Sequence, residues 1–376
     1  MPDANGNVGS ITNTLDPAKN KTFTYDALDR LWTATGPWGS LGWTYDGVGN
    51  RLAQTAPEGS STYTYQTGTN RLASVSGPNP ITFGYDNNGN TTTENARTYA
   101  YNQNDRLIQA TEGAVLGQYG FDASEQRATK TAGGQVGVFQ HDQWGRILAE
   151  SQPSGTTLAE YIYLNGQPVA KSDGATVSFI HTDQLGTPQS MTDASGGKVW
   201  EIESRPFGDG ATITGSAALN LRFPGQYFDQ ETGLHQNWHR EYAPGLGRYI
   251  EPAPLRFNPA LNYYVYVGNN PVRLVDPLGL CPCPDPQCLA TAAENHKNCL
   301  LDARNKAIVR TTNASIDLAA CLKYGVDPRL KGICAATYAL YMLWVTNEYD
   351  KQAYQCDTTY QSKVDSCYAQ CPEKRK

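Results

Sequence analysis

Residues 23–52 read FTYDALDRLWTATGPWGSLGWTYDGVGNRL and contain one motif twice: an aromatic residue, any residue, Tyr-Asp, a short turn, and then Arg-Leu. The motif returns every 20 residues, with its tyrosine, or the phenylalanine or histidine in its place, at positions 25, 45, 65 and 85, and then at 101, 121, 141 and 161. A fixed period of this length indicates a repeat architecture.

Each repeat has the local signals of a β-hairpin. Aromatic residues at positions i and i+2, such as Phe23 and Tyr25, lie on the same face of a strand. Gly-Asn pairs, such as Gly49-Asn50, supply the positive φ that a tight turn needs. A lone hairpin cannot bury its aromatic face. The sequence therefore predicts about one hairpin per repeat, with neighbouring repeats paired into a continuous, curved sheet.

This pattern resembles the tyrosine–aspartate (YD) repeats of RHS proteins, over about three quarters of the chain. Three further motifs support the resemblance: HTDQLGTPQSMTDASG (His181–Gly196), RFPGQYFDQETGLHQNWHREYAPGLGRYI (Arg222–Ile250) and YVYVGNNPVRLVDPLGL (Tyr264–Leu280). The resemblance implies a β-shell that encloses a variable C-terminal segment, usually a toxin. It also implies an aspartic self-cleaving activity that cuts the chain after a DPxGL motif.

The composition changes abruptly after Leu280. The first 280 residues contain no cysteine, and the remaining 96 contain all nine. We therefore expect three parts: a YD-repeat shell segment over residues 1–240, an autocleavage junction over 241–280, and a cysteine-rich C-terminal effector over 281–376. The first residues resemble the inside of a repeat, so the chain is interpreted as a fragment of a longer protein.

Charge and hydropathy bear on the partners. A net charge of −6 leaves no nucleic-acid footprint, and no nucleic-acid partner is expected. No signal peptide is visible, and the longest apolar stretch, Ala335–Val345, is too short to span a bilayer. The resemblance implies a secreted or delivered protein whose partners are its own C-terminal domain as cargo, an immunity protein and a delivery apparatus.

The resemblance also points to the junction residues. Peptide hydrolysis by carboxyl groups needs two of them, one ionised and one protonated. Asp276, in the DPLGL motif, matches one, but Ala253 stands where the family has the other aspartate. Glu251 is a weak substitute, and Arg248 matches an arginine that could orient a carboxylate. We therefore expect cleavage between Leu280 and Cys281, blocked by Ala253, through either engineering or natural decay.

The prediction for residues 281–376, the tail, rests on the spacing of the cysteines. Cys288, Cys299 and Cys321 are 11 and 22 residues apart, and Cys334, Cys356 and Cys367 are 22 and 11 apart. Eleven residues make about three helical turns, and a breaker at Gly325–Pro328 separates the two sets. The prediction is an all-α, disulfide-stapled helical hairpin after the all-β shell. The predicted bridges are Cys321–Cys334, Cys299–Cys356, Cys288–Cys367 and Cys283–Cys371, with Cys281 an alternative partner for Cys371.

Several alternatives remain at this point. Zinc bound by Cys281, Cys283 and Cys288, with His296 or Cys299 as a further ligand, is a rival to the disulfides. The spacing fits no common zinc pattern, so no metal or cofactor is predicted. The tail has no enzyme motif, and the sequence does not identify its target. The aromatic run Tyr338–Trp344 could contact a membrane, so a membrane target remains an alternative. A structural or adhesive surface repeat protein with an uncleaved binding or membrane-active module is the alternative to the self-cleaving carrier.

Overall fold

The computed structural model describes residues 3, 5–254 and 262–280, which belong to one compact unit. Their main feature is a 21-stranded antiparallel sheet in which each strand pairs with the next one along the chain. The strands are β1 (Ser10–Ile11), β2 (Lys21–Tyr25), β3 (Leu31–Gly36), β4 (Gly39–Tyr45), β5 (Arg51–Ala56), β6 (Gly59–Tyr65), β7 (Leu72–Ser76), β8 (Ile81–Tyr85), β9 (Thr91–Glu94), β10 (Arg97–Tyr101), β11 (Leu107–Glu112), β12 (Ala114–Phe121), β13 (Arg127–Ala132), β14 (Gln135–His141), β15 (Ile147–Ser151), β16 (Thr157–Leu164), β17 (Gln167–Ser172), β18 (Val177–Thr182), β19 (Pro188–Thr192), β20 (Lys198–Glu203) and β21 (Thr212–Gly215).

The repeated tyrosine and aspartate have separate structural roles. The Tyr45 hydroxyl donates to the carbonyl of Leu31, 2.9 Å away at the start of the preceding strand, and the tyrosines at 25, 65, 85, 101 and 163 make equivalent bonds. The Asp46 carboxylate accepts the backbone N–H groups of Val48 and Asn50 and so closes the turn. The tyrosine therefore links a hairpin to its predecessor while the aspartate shapes the turn, which confirms the repeat prediction.

The sheet curves until its two ends approach each other. Lys19 and Lys21, at the start of the sheet, form ion pairs of 2.6 and 2.5 Å with Glu201 and Glu203 of β20. With ~4.8 Å between strands, 21 strands span ~100 Å, which is the circumference of a ring ~30 Å across. The strip thus makes about one turn, and we call it the shell.

A second, four-stranded sheet and the residues that follow it cover the concave face of the shell. Its strands are β22 (Tyr227–Asp229), β23 (Leu234–Asn237), β24 (Arg240–Ala243) and β25 (Arg248–Tyr249). We call residues 219–254 and 262–280 the inner segment. Three groups of strands each share a buried core of apolar side chains with this part of the chain: β2–β4 through Val272, β6–β8 and β10–β12 through Ile250, and β14–β16 and β18–β20 through Tyr227.

Asparagine side chains attach the end of the inner segment to the repeat turns. Asn269 donates to the carbonyl of Gly49 at 2.9 Å, and Asn270 donates to the carbonyl of Asp29 at 2.8 Å. Asn262 donates to the side chain of Asn50, which is itself a turn residue. Asn262 and the two asparagines of the final sequence motif therefore anchor the inner segment to the repeat turns.

Buried ion pairs also connect the shell to the four-stranded sheet of the inner segment. Arg127 of β13 is 2% exposed and binds Asp229 at 2.6 Å and Glu241 at 3.0 Å. Lys130 adds a 3.0 Å pair with Asp229. Because charges removed from water need partners, these pairs fix the position of the four-stranded sheet inside the shell.

The expected two-part fold class is wrong for the structure observed. The described residues are all-β, with sheets of 21 and four strands, two short 3-10 turns (Pro17–Lys19 and Val267–Asn269) and no α-helix. An 11-residue spacing places cysteines on one face only if a helix exists, so spacing alone did not warrant an α-helical domain. The hairpin prediction falls on residues 281–376, outside the described residues. No helix within residues 3, 5–254 and 262–280 is long and apolar enough to cross a membrane.

Replacing Arg127 should test the buried network. Arg127→Met leaves Glu241 without its cation and Asp229 with Lys130 alone, and we expect the free energy of unfolding to fall by about 3–5 kcal/mol in chemical denaturation. The control is Lys198→Met, which removes an exposed pair with Glu201 and should change stability by less than about 0.5 kcal/mol. Equal losses in the two variants would contradict a structural role for the network.

Candidate functional site

The residues before the expected cleavage point are held by the β23–β24 hairpin. Asn237 donates from its side chain to the carbonyl of Asp276 at 2.9 Å. The ring of His239 lies 2.8 Å from the carbonyl of Leu278. Burial lowers the pKa of His239 to about 4, so at neutral pH the ring is uncharged and its Nδ1 is the donor in this bond. Side chains of the hairpin therefore donate hydrogen bonds to backbone carbonyls of the DPLGL motif.

The hairpin turn is itself fixed against the shell. Trp238 adopts a positive φ of 41° at the turn, and its ring stacks on His239 with centroids 5.0 Å apart. The Trp238 indole N–H points to the carbonyl of Ser124 at 3.4 Å, and a Cβ at Gly145 would overlap the indole ring. Repeat turns thus position the hairpin that positions the DPLGL motif.

Asp276 is fully buried, and its carboxylate accepts hydrogen bonds from Arg240, Tyr249 and Leu280. Arg240 and the Tyr249 hydroxyl donate to Oδ2 at 2.9 and 2.7 Å. The backbone N–H of Leu280 donates to Oδ1 at 3.1 Å. The carboxylate therefore contacts the residue whose carbonyl forms the expected scissile bond.

Arg240 is a functional candidate that the sequence interpretation missed. Its three guanidinium nitrogens have three different acceptors: the Gly279 carbonyl at 2.5 Å, the Tyr263 carbonyl at 3.0 Å and the Asp276 carboxylate at 2.9 Å. The guanidinium carbon also lies 3.4 Å from the ring centre of Tyr249. Its acceptors lie 23 to 39 residues away along the chain, so no local pattern reveals its role. The sequence shows only that Arg240 falls inside the Arg222–Ile250 motif.

Position 253 lies next to the same arginine. Ala253 is buried, and its backbone N–H donates at 2.9 Å to the Tyr263 carbonyl, the same oxygen that accepts from Arg240. One carbonyl group thus separates the backbone of position 253 from the guanidinium that binds Asp276. Of the two positions expected to form the carboxyl pair, Asp276 binds Arg240 directly, and Ala253 shares the Tyr263 carbonyl with it.

Arg248 has a different environment from the one expected. It donates to the carbonyl of Asn70 at 2.6 Å, and its guanidinium lies over the rings of Tyr264 and Tyr65, at 4.7 and 5.4 Å. These contacts hold the inner segment against the shell. A carboxylate-orienting role for Arg248 stays a prediction.

Glu251, the weak substitute for the missing aspartate, is buried beside a second acid. Its Oε2 accepts the backbone N–H of Glu241 at 2.8 Å. Burial raises the pKa of Glu251 to about 8, against the opposing effect of Arg240 and Arg106. Burial also raises the pKa of Glu241 well above its usual range, although Arg127 opposes the shift. Glu251 therefore carries a proton at neutral pH and is engaged by the backbone of Glu241.

The glycine of DPLGL is required by close packing. Gly279 has a φ of +65°, and a Cβ there would overlap the carbonyl oxygen of Asn237. Cys281 and the cysteines of the predicted bridges lie outside the described residues. The zinc alternative also falls on residues outside the described ranges.

Comparison with known proteins gives the class of this chain. Residues 2–272 match the family described as the Teneurin YD-shell, and the chain belongs to that family. This match and the curated relatives confirm the identification as an RHS YD-repeat core of the polymorphic-toxin type.

Three similar proteins illustrate the relationship. Double-stranded DNA deaminase toxin A of Burkholderia cenocepacia is 32% identical over 53% of this chain and 17% of that protein. Toxin protein Tse5 of Pseudomonas aeruginosa is 36% identical over 36% of this chain and 9% of that protein. The Photorhabdus luminescens Tc holotoxin pore, with an Asp-to-Ala mutation in TccC3, shares the fold with a TM-score of 0.61 and 21% identity over 75% of this chain and 16% of that chain. The matched regions are less than a fifth of each of these proteins.

The protonated Glu251 should make stability depend on pH. The unfolded chain releases this proton near pH 4.5, whereas the folded chain keeps it up to about pH 8, so folding stability falls as pH rises between these values. Glu251→Gln should remove up to about 1.4 kcal/mol of this loss per pH unit, measured by denaturant unfolding at pH 5, 6.5 and 8. The exposed Glu160→Gln is the control, and an unchanged slope in the Glu251 variant would refute the assignment.

The packing of Gly279 can be separated from its backbone conformation. Gly279→Ala and Gly233→Ala both place a side chain at positive φ, but Gly233 has nothing within 4 Å of its Cβ direction. We expect the Gly279 variant to lose about 1–3 kcal/mol more unfolding free energy than the Gly233 variant. Indistinguishable losses in denaturant unfolding would show that the contact with Asn237 is unimportant.

Proposed function

We propose that this chain is part of an RHS shell whose junction is built for aspartic self-cleavage after Leu280, which frees residues 281–376 as an effector. The observation that carries the proposal is the position of Asp276. Its carboxylate accepts the N–H of Leu280, immediately before the expected scissile bond, and binds Arg240. The backbone N–H of position 253 donates to the Tyr263 carbonyl, to which Arg240 also donates.

The chemistry requires a second carboxyl group. An ionised carboxylate takes a proton from the attacking water, and a protonated carboxyl donates to the carbonyl oxygen and the leaving amine. The Arg240 and Tyr249 donors stabilise the ionised form of Asp276, which suits it to the first role. The proton donor would then come from position 253. Ala253 has no proton to give, so we infer that this chain stays uncut.

The relatives support the biological setting. Two curated relatives are named as toxins, and the solved Tc structure is a holotoxin pore. We infer that the longer protein is secreted or delivered by an apparatus of its own, carries its C-terminal region as cargo and is countered by an immunity protein.

Intact-mass spectrometry tests the proposal. Ala253→Asp should split between Leu280 and Cys281 at neutral pH, whereas the parent chain and Ala253→Asn, which has the same shape without an acid, should stay whole. The double variant Ala253→Asp/Asp276→Asn should also stay whole. Splitting of the parent, splitting of the double variant, or a folded Ala253→Asp chain that never splits would each contradict the assigned pair.

A further inference from the structure

The turn between β20 and β21 has the backbone of a repeat turn. The N–H of Arg205 donates to the carbonyl of Asp209 at 2.9 Å, and the N–H of Gly208 donates to the carbonyl of Arg205 at 2.8 Å. The repeat turn that begins at Asp46 has the same two bonds, at 2.9 and 3.2 Å. Residues 205–209 therefore form one more turn of the repeat type, and we call them the clasp.

The clasp differs from the other turns in its third residue. This position holds an exposed apolar side chain in three repeat turns, namely Leu28, Val48 and Trp144, which are 58, 44 and 48% exposed. Phe207 holds the same position in the clasp and is 1% exposed. The same backbone turn thus presents its apolar residue to solvent in these repeats and to the core in the clasp.

The Phe207 ring packs among side chains of the first strands. It lies edge-on to Trp43 of β4, with ring centroids 5.3 Å apart, and the guanidinium carbon of Arg51 on β5 lies 4.4 Å from its centroid. The Phe207 carbonyl accepts a 2.7 Å hydrogen bond from the Tyr242 hydroxyl of β24. A buried aromatic ring stabilises through its large apolar area and through such edge contacts. The clasp thus joins the start of the shell, its end and the inner segment.

The charges of the clasp are exchanged relative to a repeat turn. In the first repeat, Asp26 begins the turn and binds Arg30, four residues later, at 2.7 Å. In the clasp, Arg205 begins the turn and Asp209 ends it, with 3.4 Å between their charged groups. The Arg205 guanidinium also binds both carboxylate oxygens of Glu58 in the β5–β6 turn, at 2.5 and 2.8 Å. Because a two-point pair of this kind is specific in geometry, it fixes the clasp on the start of the shell.

The clasp lies beside the line where the two ends of the shell meet, which we call the seam. β2 pairs with β1 and β3, and β20 pairs with β19 and β21, so the strand pairing described here does not join β2 to β20. Ion pairs cross the seam instead, from Lys19 to Glu201 and from Lys21 to Glu203. Since each of these strands keeps its own two neighbours, the seam can separate without breaking a strand pair.

We propose that the clasp locks the shell closed at the seam, and that its release opens the shell while the repeat sheet stays folded. This device goes beyond the proposed cleavage and operates equally in a chain that is never cut. Opening at the seam costs less free energy than unfolding, because it removes side-chain contacts and leaves the backbone ladders in place. It exposes Phe207 and the core around Trp43 to solvent.

Hydroxyl-radical oxidation and hydrogen exchange of the whole chain test the clasp together. Arg205→Glu places an acid against Glu58 and Asp209, so the seam should open more often, and oxidation of the buried Trp43 should speed up by about fivefold. The amides of β4 should keep exchange rates within about twofold of the parent chain, because the sheet stays folded.

Arg146→Glu is the matched control. Arg146 binds Asp142 at 2.6 Å within the repeat turn that follows β14, so reversing its charge should leave Trp43 oxidation at the parental rate. Unchanged oxidation of Trp43 in a folded Arg205→Glu chain would overturn the inference. Faster oxidation accompanied by an equal rise in β4 amide exchange would also overturn it, since that result means unfolding of the sheet.

A charge exchange across the seam gives a second test at residues outside the clasp. Lys21→Glu places an acid against Glu203, and Trp43 oxidation should speed up by about two- to fivefold. Adding Glu203→Lys restores opposite charges and should return the rate to within about 1.5-fold of the parent chain. A Lys21→Glu chain with the parental rate, or a double variant as reactive as the single one, would contradict closure of the shell by these pairs.

Discussion

A sheet that curves through a full turn has a concave face that must be removed from water, and this chain covers it with its own later residues. The constraint accounts for the arrangement of charge. Repeat residues such as Arg127 point inward, where they would be unpaired without the acids of the inner segment. Asparagines near the end of that segment bind the turns at the shell edge. The shell and its contents are therefore one structure, and the junction inherits its geometry from both.

The junction is an extension of the same network. Arg106 of the shell donates to the carbonyl of His239, at the turn of the hairpin that binds the DPLGL backbone. The hairpin places Arg240 beside Asp276, and buried acids that lack a full cation partner, such as Glu251, retain protons instead. Burial thus leaves a proton on Glu251, whereas the Asp276 carboxylate is surrounded by the donors of Arg240 and Tyr249.

The sequence was sufficient for the features that depend on near neighbours. Tyrosine, aspartate and glycine recur every 20 residues because each hairpin repeats the same turn and the same bond to the strand before it. Asp276 and position 253 could be named from motif resemblance. Arg240 could not, because its acceptors lie far along the chain and only the folded inner segment brings them together. The α-helical tail was an over-interpretation of cysteine spacing, and the described structure is entirely β.

The most direct test of this account is the distance between the two proposed catalytic positions. A crystal structure of the Ala253→Asn variant would show where a side chain at 253 points. The account predicts its amide group within about 5 Å of the Asp276 carboxylate or the Leu280 carbonyl, which is contact directly or through one water. An amide more than about 8 Å from both, with Arg240 still bound to Asp276, would contradict the claim that these positions form one site.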